Sequence, residues 1–258
     1  MIQPMYDAIS KDYDRFVNWP ARLEAELPFI SQQIQSAVGP ECRLLDAACG
    51  TGKHAIALAQ LGHQASGADF SQGMIGRARA NARTAGVSVR FEVVGFEHLE
   101  NTFGRQAFDA LLCLGNSLPH ILAPSALSST LADFAASLRP GGLLLLQNRN
   151  FDAVLARRER WMEPQAYRYQ DAEWLFLRLY DYDPDGLLSF NMVTLHPQGS
   201  EQWQQQVTTT RLYPLRQSEL VAALQQAGFT RITSYGGMSP EPFDPTGSGN
   251  LVVTAILG

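Results

Sequence analysis

The sequence has few cysteines, no dense run of like charge and no long apolar segment. Its three cysteines are Cys42, Cys49 and Cys113. Their number is odd and their spacing is unlike that of metal ligands, so neither a disulfide framework nor a zinc site is predicted. The net charge is -5 and no block of five or more like charges occurs, which argues against nucleic acid as a partner. The longest aliphatic run, Leu143 to Leu146, is too short to span a bilayer.

The first residues also lack the features of a targeting segment. Met1-Ile2-Gln3-Pro4 has neither the basic start nor the apolar run of a signal peptide. We therefore expect a cytoplasmic protein, monomer or homo-oligomer, with no membrane or nucleic-acid partner and with a small-molecule substrate. Hydrophobic residues make up 45% of the 258-residue chain, enough for a sizeable core.

The first part of the chain alternates apolar strands with amphipathic helices. Apolar strands of this kind, separated by helices of period 3.6, are typical of a parallel sheet covered on both faces. After a helical segment that closes at Gly39-Pro40, strands are predicted at 43–47, 64–69, 88–93, 108–113 and 142–147, and helices at 53–61, 71–85 and 124–137.

The pattern changes after Asn150. Strands are predicted at 174–181, 187–196 and 204–213, and the turn sequence Asp183-Pro184-Asp185-Gly186 joins the first two as a hairpin. A helix at 217–227 and strands at 229–235 and 250–257 then resume the first pattern. We expect an N-terminal helical cap (1–40), a cofactor-binding core (41–150), an antiparallel β insertion on the substrate side (151–214) and a C-terminal part (215–258) that completes the core sheet.

The segment Leu44-Leu45-Asp46-Ala47-Ala48-Cys49-Gly50-Thr51-Gly52 is the strongest motif. It predicts a buried strand, a tight glycine turn and a helix, and a second strand then ends in Asp69. This is how an α/β sheet binds a nucleoside cofactor at its carboxyl edge. A dinucleotide site would use G-x-G-x-x-G to hold a pyrophosphate, and Ala48 stands at its first glycine, so the fit to that pattern is poor.

The turn resembles the first motif of class I S-adenosylmethionine-dependent methyltransferases. That resemblance implies a Rossmann-like, seven-stranded, mostly parallel sheet and S-adenosylmethionine as cofactor. It also implies that Asp69 accepts hydrogen bonds from both ribose hydroxyls, that Met74 of the D-x-S-x-x-M stretch packs on adenine, and that Phe96 contacts the purine. The cofactor-binding residues predicted on this basis are Tyr13, Arg22, Asp46, Ala48, Gly50, Gly52, Asp69, Phe70, Met74, Gly95, Phe96 and Leu114.

The substrate side resembles a narrower group. The segments Cys113-Leu114-Gly115-Asn116-Ser117 with His120, Arg139-Pro140-Gly141-Gly142-Leu143-Leu144 and Arg149-Asn150-Phe151-Asp152 are similar to those of the glycine and glycine/sarcosine N-methyltransferases. The resemblance implies that Arg149 clamps the carboxylate of an amino acid, that Asn116 lies beside its amine, and that Tyr213 belongs to the substrate pocket. We take Asn116, Arg149 and Tyr213 as candidate catalytic residues.

The function predicted is methyl transfer from S-adenosylmethionine to a small molecule, most simply the amine of an amino acid such as glycine or sarcosine. O-methylation of a hydroxylated or carboxylic metabolite is the main alternative, because the fold does not determine the acceptor atom. Two other classes stay open at this point: a nicotinamide-dependent oxidoreductase and a cofactor-binding regulator without catalysis.

Overall fold

The computed structural model describes residues 13–169, 172–198 and 202–258. The predicted N-terminal cap therefore lies partly outside the described residues. Its described part contains helix α1 (Tyr13–Phe16) and helix α2 (Trp19–Val38). Asn18 caps α2 by accepting a hydrogen bond from the amide of Ala21, which satisfies one of the orphan donors of the first turn.

The main sheet has seven strands, as the sequence predicted. The strands are β1 (Arg43–Asp46), β2 (Gln64–Asp69), β3 (Arg90–Val93), β4 (Phe108–Cys113), β5 (Leu138–Arg149), β10 (Phe229–Tyr235) and β11 (Asn250–Leu257). Their order is β10-β11-β5-β4-β1-β2-β3. All neighbouring pairs from β3 to β5 are parallel, and β11 runs antiparallel to both β5 and β10.

Helices cover both faces of this sheet. Successive strand residues point to opposite faces, and both faces are buried: Leu44 belongs to one apolar cluster and Leu45 to the other. The same alternation holds along β5, where Leu143 and Leu144 are both essentially inaccessible. The helices are α3 (Lys53–Gln60), α4 (Gln72–Ala85), α5 (Leu99–Phe103), α6 (Pro124–Ser137) and α8 (Gln217–Gln226), with a 3-10 turn at Leu118–His120.

A second, antiparallel sheet follows β5. The short helix α7 (Phe151–Arg157) leads into β6 (Gln165–Tyr169), β7 (Ala172–Tyr182), β8 (Leu188–Gln198) and β9 (Gln202–Leu212), which pair in chain order. The sequence predicted three of these strands and the hairpin at residues 183–186. It missed β6, α5 and α7, which are short elements with weak periodicity.

Strand β5 is longer than predicted. It begins at Leu138, directly after α6, although Arg139-Pro140-Gly141-Gly142 is typical of a turn. The register with β4 shifts between Phe108 and Ala110, so an irregularity of the ladder accommodates the proline and the glycines. Among the described residues, no helix combines the length and the hydropathy needed to cross a membrane.

Candidate active site

The carboxyl edge of the main sheet begins with the glycine turn after β1. The amide of Cys49 bonds to the carbonyl of Ala68 on β2 at 2.9 Å, and the amide of Ala47 bonds to the carbonyl of Leu112 on β4 at 2.8 Å. The turn ends at Gly52, which caps α3 in the left-handed region with φ +79°. A Cβ atom there would lie 2.7 Å from the Phe91 ring, so both the backbone conformation and the space favour glycine.

Asp69 ends β2 and faces the turn. Its Oδ2 accepts a hydrogen bond from the amide of Gly50, and its Oδ1 accepts one from the amide of Ser71, both at 2.9 Å. Ser71 in turn caps α4 through a 3.1 Å bond from the amide of Met74. These bonds hold a carboxylate at the edge of the sheet, where it can accept hydrogen bonds from the hydroxyl groups of a ligand.

A cavity of about 580 Å³ opens at this edge. This cavity, which we call the cofactor cavity, lies within the size range of small-molecule sites. Trp19, His54, Glu97, His98, Ser117, His120 and Ile121 line it without having been predicted. The predicted cofactor residues that line it are Arg22, Asp46, Ala48, Gly50, Asp69, Phe70, Met74, Gly95, Phe96 and Leu114.

Two predicted cofactor residues do not appear in that lining. Gly52 lies below the turn, against Phe91, and acts as the helix cap described above. The side chain of Tyr13 lies outside the part of the chain that the structure describes. The unpredicted Glu97 has φ +71° and stands two residues after Gly95. An acidic residue shortly after the end of a predicted strand is the sequence signal that could have identified Glu97 as a cavity residue.

Asp46 is a buried carboxyl group that lines the cofactor cavity. It is 1% exposed, and its Oδ1 has no hydrogen-bond partner among the described residues. Burial raises the pKa of Asp46 to about 6, and the nearby Asp69 adds to the rise, whereas attraction to His54 opposes it. A buried carboxylate oxygen without a partner is a place for a cationic group of a ligand.

A chain of charged groups runs from α2 to the same cavity. Arg22 donates from Nε to both carboxylate oxygens of Glu26 at 3.1 Å, and His54 Nε2 lies 2.6 Å from Glu26 Oε2. Burial would raise the pKa of Glu26, but the hydrogen bond with His54 and the charge of Arg22 outweigh it and lower that pKa. These bonds, together with one to Gln147 of β5, hold the Arg22 guanidinium at the cavity.

A second, smaller cavity of about 250 Å³ lies beside the first. It shares Arg22, Gly115 and His120 with the cofactor cavity. We call it the acceptor cavity. Its lining also includes the predicted residues Asn116 and Arg149, together with Val17, Glu26, Gln147, Asn148, Met162, Arg178, Tyr180, Phe190, Met192, Leu212 and Asn250.

The ends of β4 and β5 build this second site together. The amide of Gly115 donates to Gln147 Oε1 at 2.9 Å, and Arg22 donates to the same oxygen at 3.3 Å. Asn116 adopts φ +68°, and its Oδ1 accepts the amide of Arg149 at 2.9 Å. These bonds fix the boundary between the two cavities, and they connect residues from α2 and from the ends of β4 and β5 that are distant in sequence.

The Arg149 guanidinium is held inside the acceptor cavity. One of its terminal nitrogens lies 3.5 Å from Glu159. Its Nε is buried and has no hydrogen-bond partner among the described residues. Burial raises the pKa of the neighbouring Tyr180 to about 12, although the two arginines Arg149 and Arg178 oppose the rise. At neutral pH the Tyr180 hydroxyl is therefore protonated and can donate.

Tyr213 does not line either of these cavities. Its hydroxyl donates to Glu219 Oε1 at 3.1 Å and its amide donates to the carbonyl of Pro119 at 2.7 Å. Its ring packs against the core cluster of the main sheet. The structure thus brings Asn116 and Arg149 together and leaves Tyr213 outside both cavities, where its amide connects the end of β9 with the 3-10 turn.

The residues fit S-adenosylmethionine. A fixed carboxylate at Asp69 suits a diol, and the unpartnered oxygen of Asp46 and the nearby Arg22 suit the ammonium and carboxylate of an amino-acid tail. Met74 and Phe96 supply apolar surface at the other end of the cavity. Among the described residues, the lining therefore offers carboxylates, a guanidinium and apolar side chains, which match the polar and apolar parts of this cofactor.

Residues 44–142 match the protein family described as "Methyltransferase domain". Among curated proteins, the chain is 30% identical to "Glycine/sarcosine N-methyltransferase" of Halorhodospira halochloris over 231 residues, which cover 89% of this chain and 80% of the relative. It is 31% identical over 228 residues to the protein of the same name from Aphanothece halophytica, covering 87% of this chain and 79% of the relative.

Solved structures share the fold of this chain. DesVI of Streptomyces venezuelae superposes with a TM-score of 0.79 at 20% identity, covering 96% of this chain and 98% of that one. The SAM-bound amino pentose methyltransferase CalS10 of Micromonospora echinaspora superposes with a TM-score of 0.71 at 19% identity, covering 100% of this chain and 98% of that one. At such identities the likeness concerns the fold.

Proposed function

This chain belongs to the S-adenosylmethionine-dependent methyltransferases, in the family of the glycine/sarcosine N-methyltransferases, and on that premise we propose that it methylates the amine of a small amino acid. One observation carries the proposal. The acceptor cavity, with the Arg149 guanidinium inside it, adjoins the cofactor cavity and shares Arg22, Gly115 and His120 with it. A carboxylate held at Arg149 therefore places the attached amine near the shared residues.

Arg149 is the residue proposed to hold the carboxylate. A guanidinium binds both oxygens of a carboxylate through its planar fork. Glu159 and the main-chain bond to Asn116 keep the strand end and the side chain of Arg149 in place. The Asn116 side chain is oriented by the same bond, which supports its place beside the amine.

The same charges favour the reactive form of the acceptor. An amine must lose its proton before its lone pair can form a bond. Among the residues that the structure describes, three guanidinium groups, those of Arg22, Arg149 and Arg178, line the cavity against one carboxylate, that of Glu26. This excess of positive charge disfavours an ammonium. Burial lowers the pKa of His120 to about 4, so its imidazole is neutral at pH 7 and does not add to the positive charge. The proton of the amine leaves to solvent, and no strong base in the cavity is needed.

The remaining task of the protein is alignment. When bound, S-adenosylmethionine would supply an activated methyl group, because its sulfonium can leave with the electron pair of the C–S bond when the amine nitrogen takes the methyl group. Val17, Trp19 and Arg22 lie on or before α2 and line one or both cavities. They hold the acceptor and exclude water, and such positioning supplies much of the rate in a displacement of this kind.

The test is transfer of a labelled methyl group from S-adenosylmethionine to glycine, sarcosine, a phenol and a simple carboxylic acid. We expect an N-methylated amino acid, identified by mass spectrometry, and no methyl ester or ether. Cofactor binding measured by titration calorimetry runs in parallel. A protein that binds the cofactor but methylates the phenol or the acid, and not the amines, would contradict the proposal.

A further inference from the structure

One face of the antiparallel sheet forms a wall of the acceptor cavity. Residues directly opposite each other on paired strands share a face of the sheet. Arg178 on β7 is opposite Met192 on β8, and Tyr180 is opposite Phe190. All four of these residues line the acceptor cavity. The wall is apolar except for the Tyr180 hydroxyl and one guanidinium.

Arg178 is unusual in this setting. Its neighbours along the same face of β7 are Phe176 and Tyr180, both almost fully buried. Burial and the charge of Arg149 lower the pKa of Arg178, and one of its terminal nitrogens donates to the carbonyl of Glu163 at 3.3 Å. A guanidinium on an apolar sheet face costs free energy, and binding of an anion in the cavity would offset that cost.

The rest of the wall offers apolar surface. Met192 is 3% and Leu212 is 1% exposed, and Met162 and Phe190 complete the apolar lining. A cavity of about 250 Å³ holds more than the few non-hydrogen atoms of glycine. Methionine side chains adapt readily to the shape of an apolar ligand. Glycine would leave part of this cavity unfilled, whereas an apolar side chain would occupy it.

We infer that the acceptor is an α-amino acid with an apolar side chain, its carboxylate held by both Arg149 and Arg178 and its side chain packed on Met162, Phe190 and Met192. This inference rests on the proposed function and goes beyond the substrates in the relatives' names. Arg178 is then a residue that contacts the carboxylate, and Met192 is a residue that sets the size of the side chain.

The experiment measures kcat/KM for glycine, L-alanine, L-valine, L-leucine and 3-methylbutylamine, which is leucine without its carboxylate. We expect kcat/KM to rise from glycine to leucine by about tenfold or more, the usual effect of added methylene groups in an apolar pocket. We expect 3-methylbutylamine to be about 100-fold poorer than leucine, because it lacks the carboxylate that the two guanidinium groups are proposed to bind.

Two variants and one control separate the parts of the inference. Arg178→Gln should raise the KM for leucine about tenfold, as expected for a lost charge-assisted hydrogen bond, and should leave 3-methylbutylamine unaffected. Met192→Trp should lower the ratio of kcat/KM for leucine to that for glycine about tenfold by filling the pocket. The control is Arg160→Gln, which changes an exposed arginine paired with Asp181 and should alter neither ratio.

The outcomes distinguish this inference from the proposed function. Methylation of glycine with leucine no better than glycine would overturn the inference and leave the proposed function standing. An equal loss of leucine and 3-methylbutylamine activity in Arg178→Gln would show that Arg178 only supports the fold. Normal cofactor binding without methylation of any amine would overturn both.

Discussion

The two cavities are built from different materials. The cofactor cavity takes its shape from the turns at the ends of parallel strands, and main-chain amides hold its key carboxylate, Asp69. The acceptor cavity takes its shape from side chains of α2, of the ends of β4 and β5, and of the antiparallel sheet. The first is suited to one unchanging ligand. The second can change its ligand when a few side chains change, which agrees with the variety of acceptors that a common fold can serve.

The largest effect on the cofactor cavity is expected from Asp69→Ala. Loss of charge-assisted hydrogen bonds to two hydroxyl groups should raise the cofactor Kd by about 100-fold or more, and all methyl transfer should fall with it. Calorimetric titration with S-adenosylmethionine measures the change. The cofactor Kd of Asp69→Asn should lie between those of the wild type and Asp69→Ala. The control Asp185→Ala, which changes an exposed carboxylate of the hairpin turn, should bind the cofactor with the wild-type Kd. Unchanged affinity in Asp69→Ala would refute the assignment of this residue.

The buried carboxyl group of Asp46 should make the stability of the protein depend on pH. Because its folded-state pKa is raised to about 6, the folded protein binds the proton more tightly than the unfolded chain does. Its contribution to stability is therefore full below about pH 4 and is lost as the pH rises to about 6. Asp46→Asn lacks this titration. We expect the free energy of unfolding of Asp46→Asn, minus that of the wild type, to grow by about 3 kcal/mol across this window.

Urea unfolding of the ligand-free proteins at several pH values measures this difference. The lowered pKa of Glu26 acts in the opposite direction at lower pH, but it is present in both proteins and cancels. A difference that stays flat from pH 4 to pH 7 would show that the Asp46 carboxyl is not shifted.

Arg149→Gln should affect the acceptor cavity alone. Removal of the guanidinium from a substrate carboxylate should raise the acceptor KM about 30-fold, with the cofactor Kd unchanged because Arg149 does not line the cofactor cavity. Steady-state kinetics with saturating cofactor, together with calorimetry, give both values. The control Arg211→Gln changes an arginine that pairs with Asp185 at the surface. A parallel rise in cofactor Kd would contradict the separation of the two cavities.

Arg22→Gln should give the smallest effect but spread it over both sites. Arg22 lines both cavities and bonds to Glu26 and Gln147. We expect the cofactor Kd and the acceptor KM each to rise about tenfold, the size of one hydrogen bond to a charged group. Arg90→Gln, at an exposed arginine of β3, serves as the control. An effect on only one of the two constants would place Arg22 in that cavity alone.

The amino-acid sequence by itself determined the main sheet and the wall of the cofactor cavity. Apolar strands of regular length predicted the parallel sheet, and strands of that kind bring their carboxyl ends to one edge. Asp46 lies at the end of β1 and Gly50 in the turn after it, Asp69 at the end of β2 and Phe96 after β3, so their proximity follows from the topology. Gly52 was predicted as a cofactor-binding residue but does not line the cofactor cavity. It caps α3, and its lack of a side chain leaves room for the Phe91 ring.

The resemblance to known N-methyltransferases predicted Asn116 and Arg149, but only the tertiary structure decided which other residues complete the acceptor cavity. Arg22, Arg149, Arg178 and Met192 come from four elements that local patterns cannot bring together, and their meeting depends on how the antiparallel sheet packs beside the end of β5. Arg178 is one of three charged residues of β7, together with Glu173 and Asp181, so the strand pattern does not single it out. Tyr213, predicted as a pocket residue, donates a hydrogen bond to Glu219 instead. Periodicity predicts which residues share a strand or a helix, but the contacts between distant elements depend on packing, which no local pattern encodes.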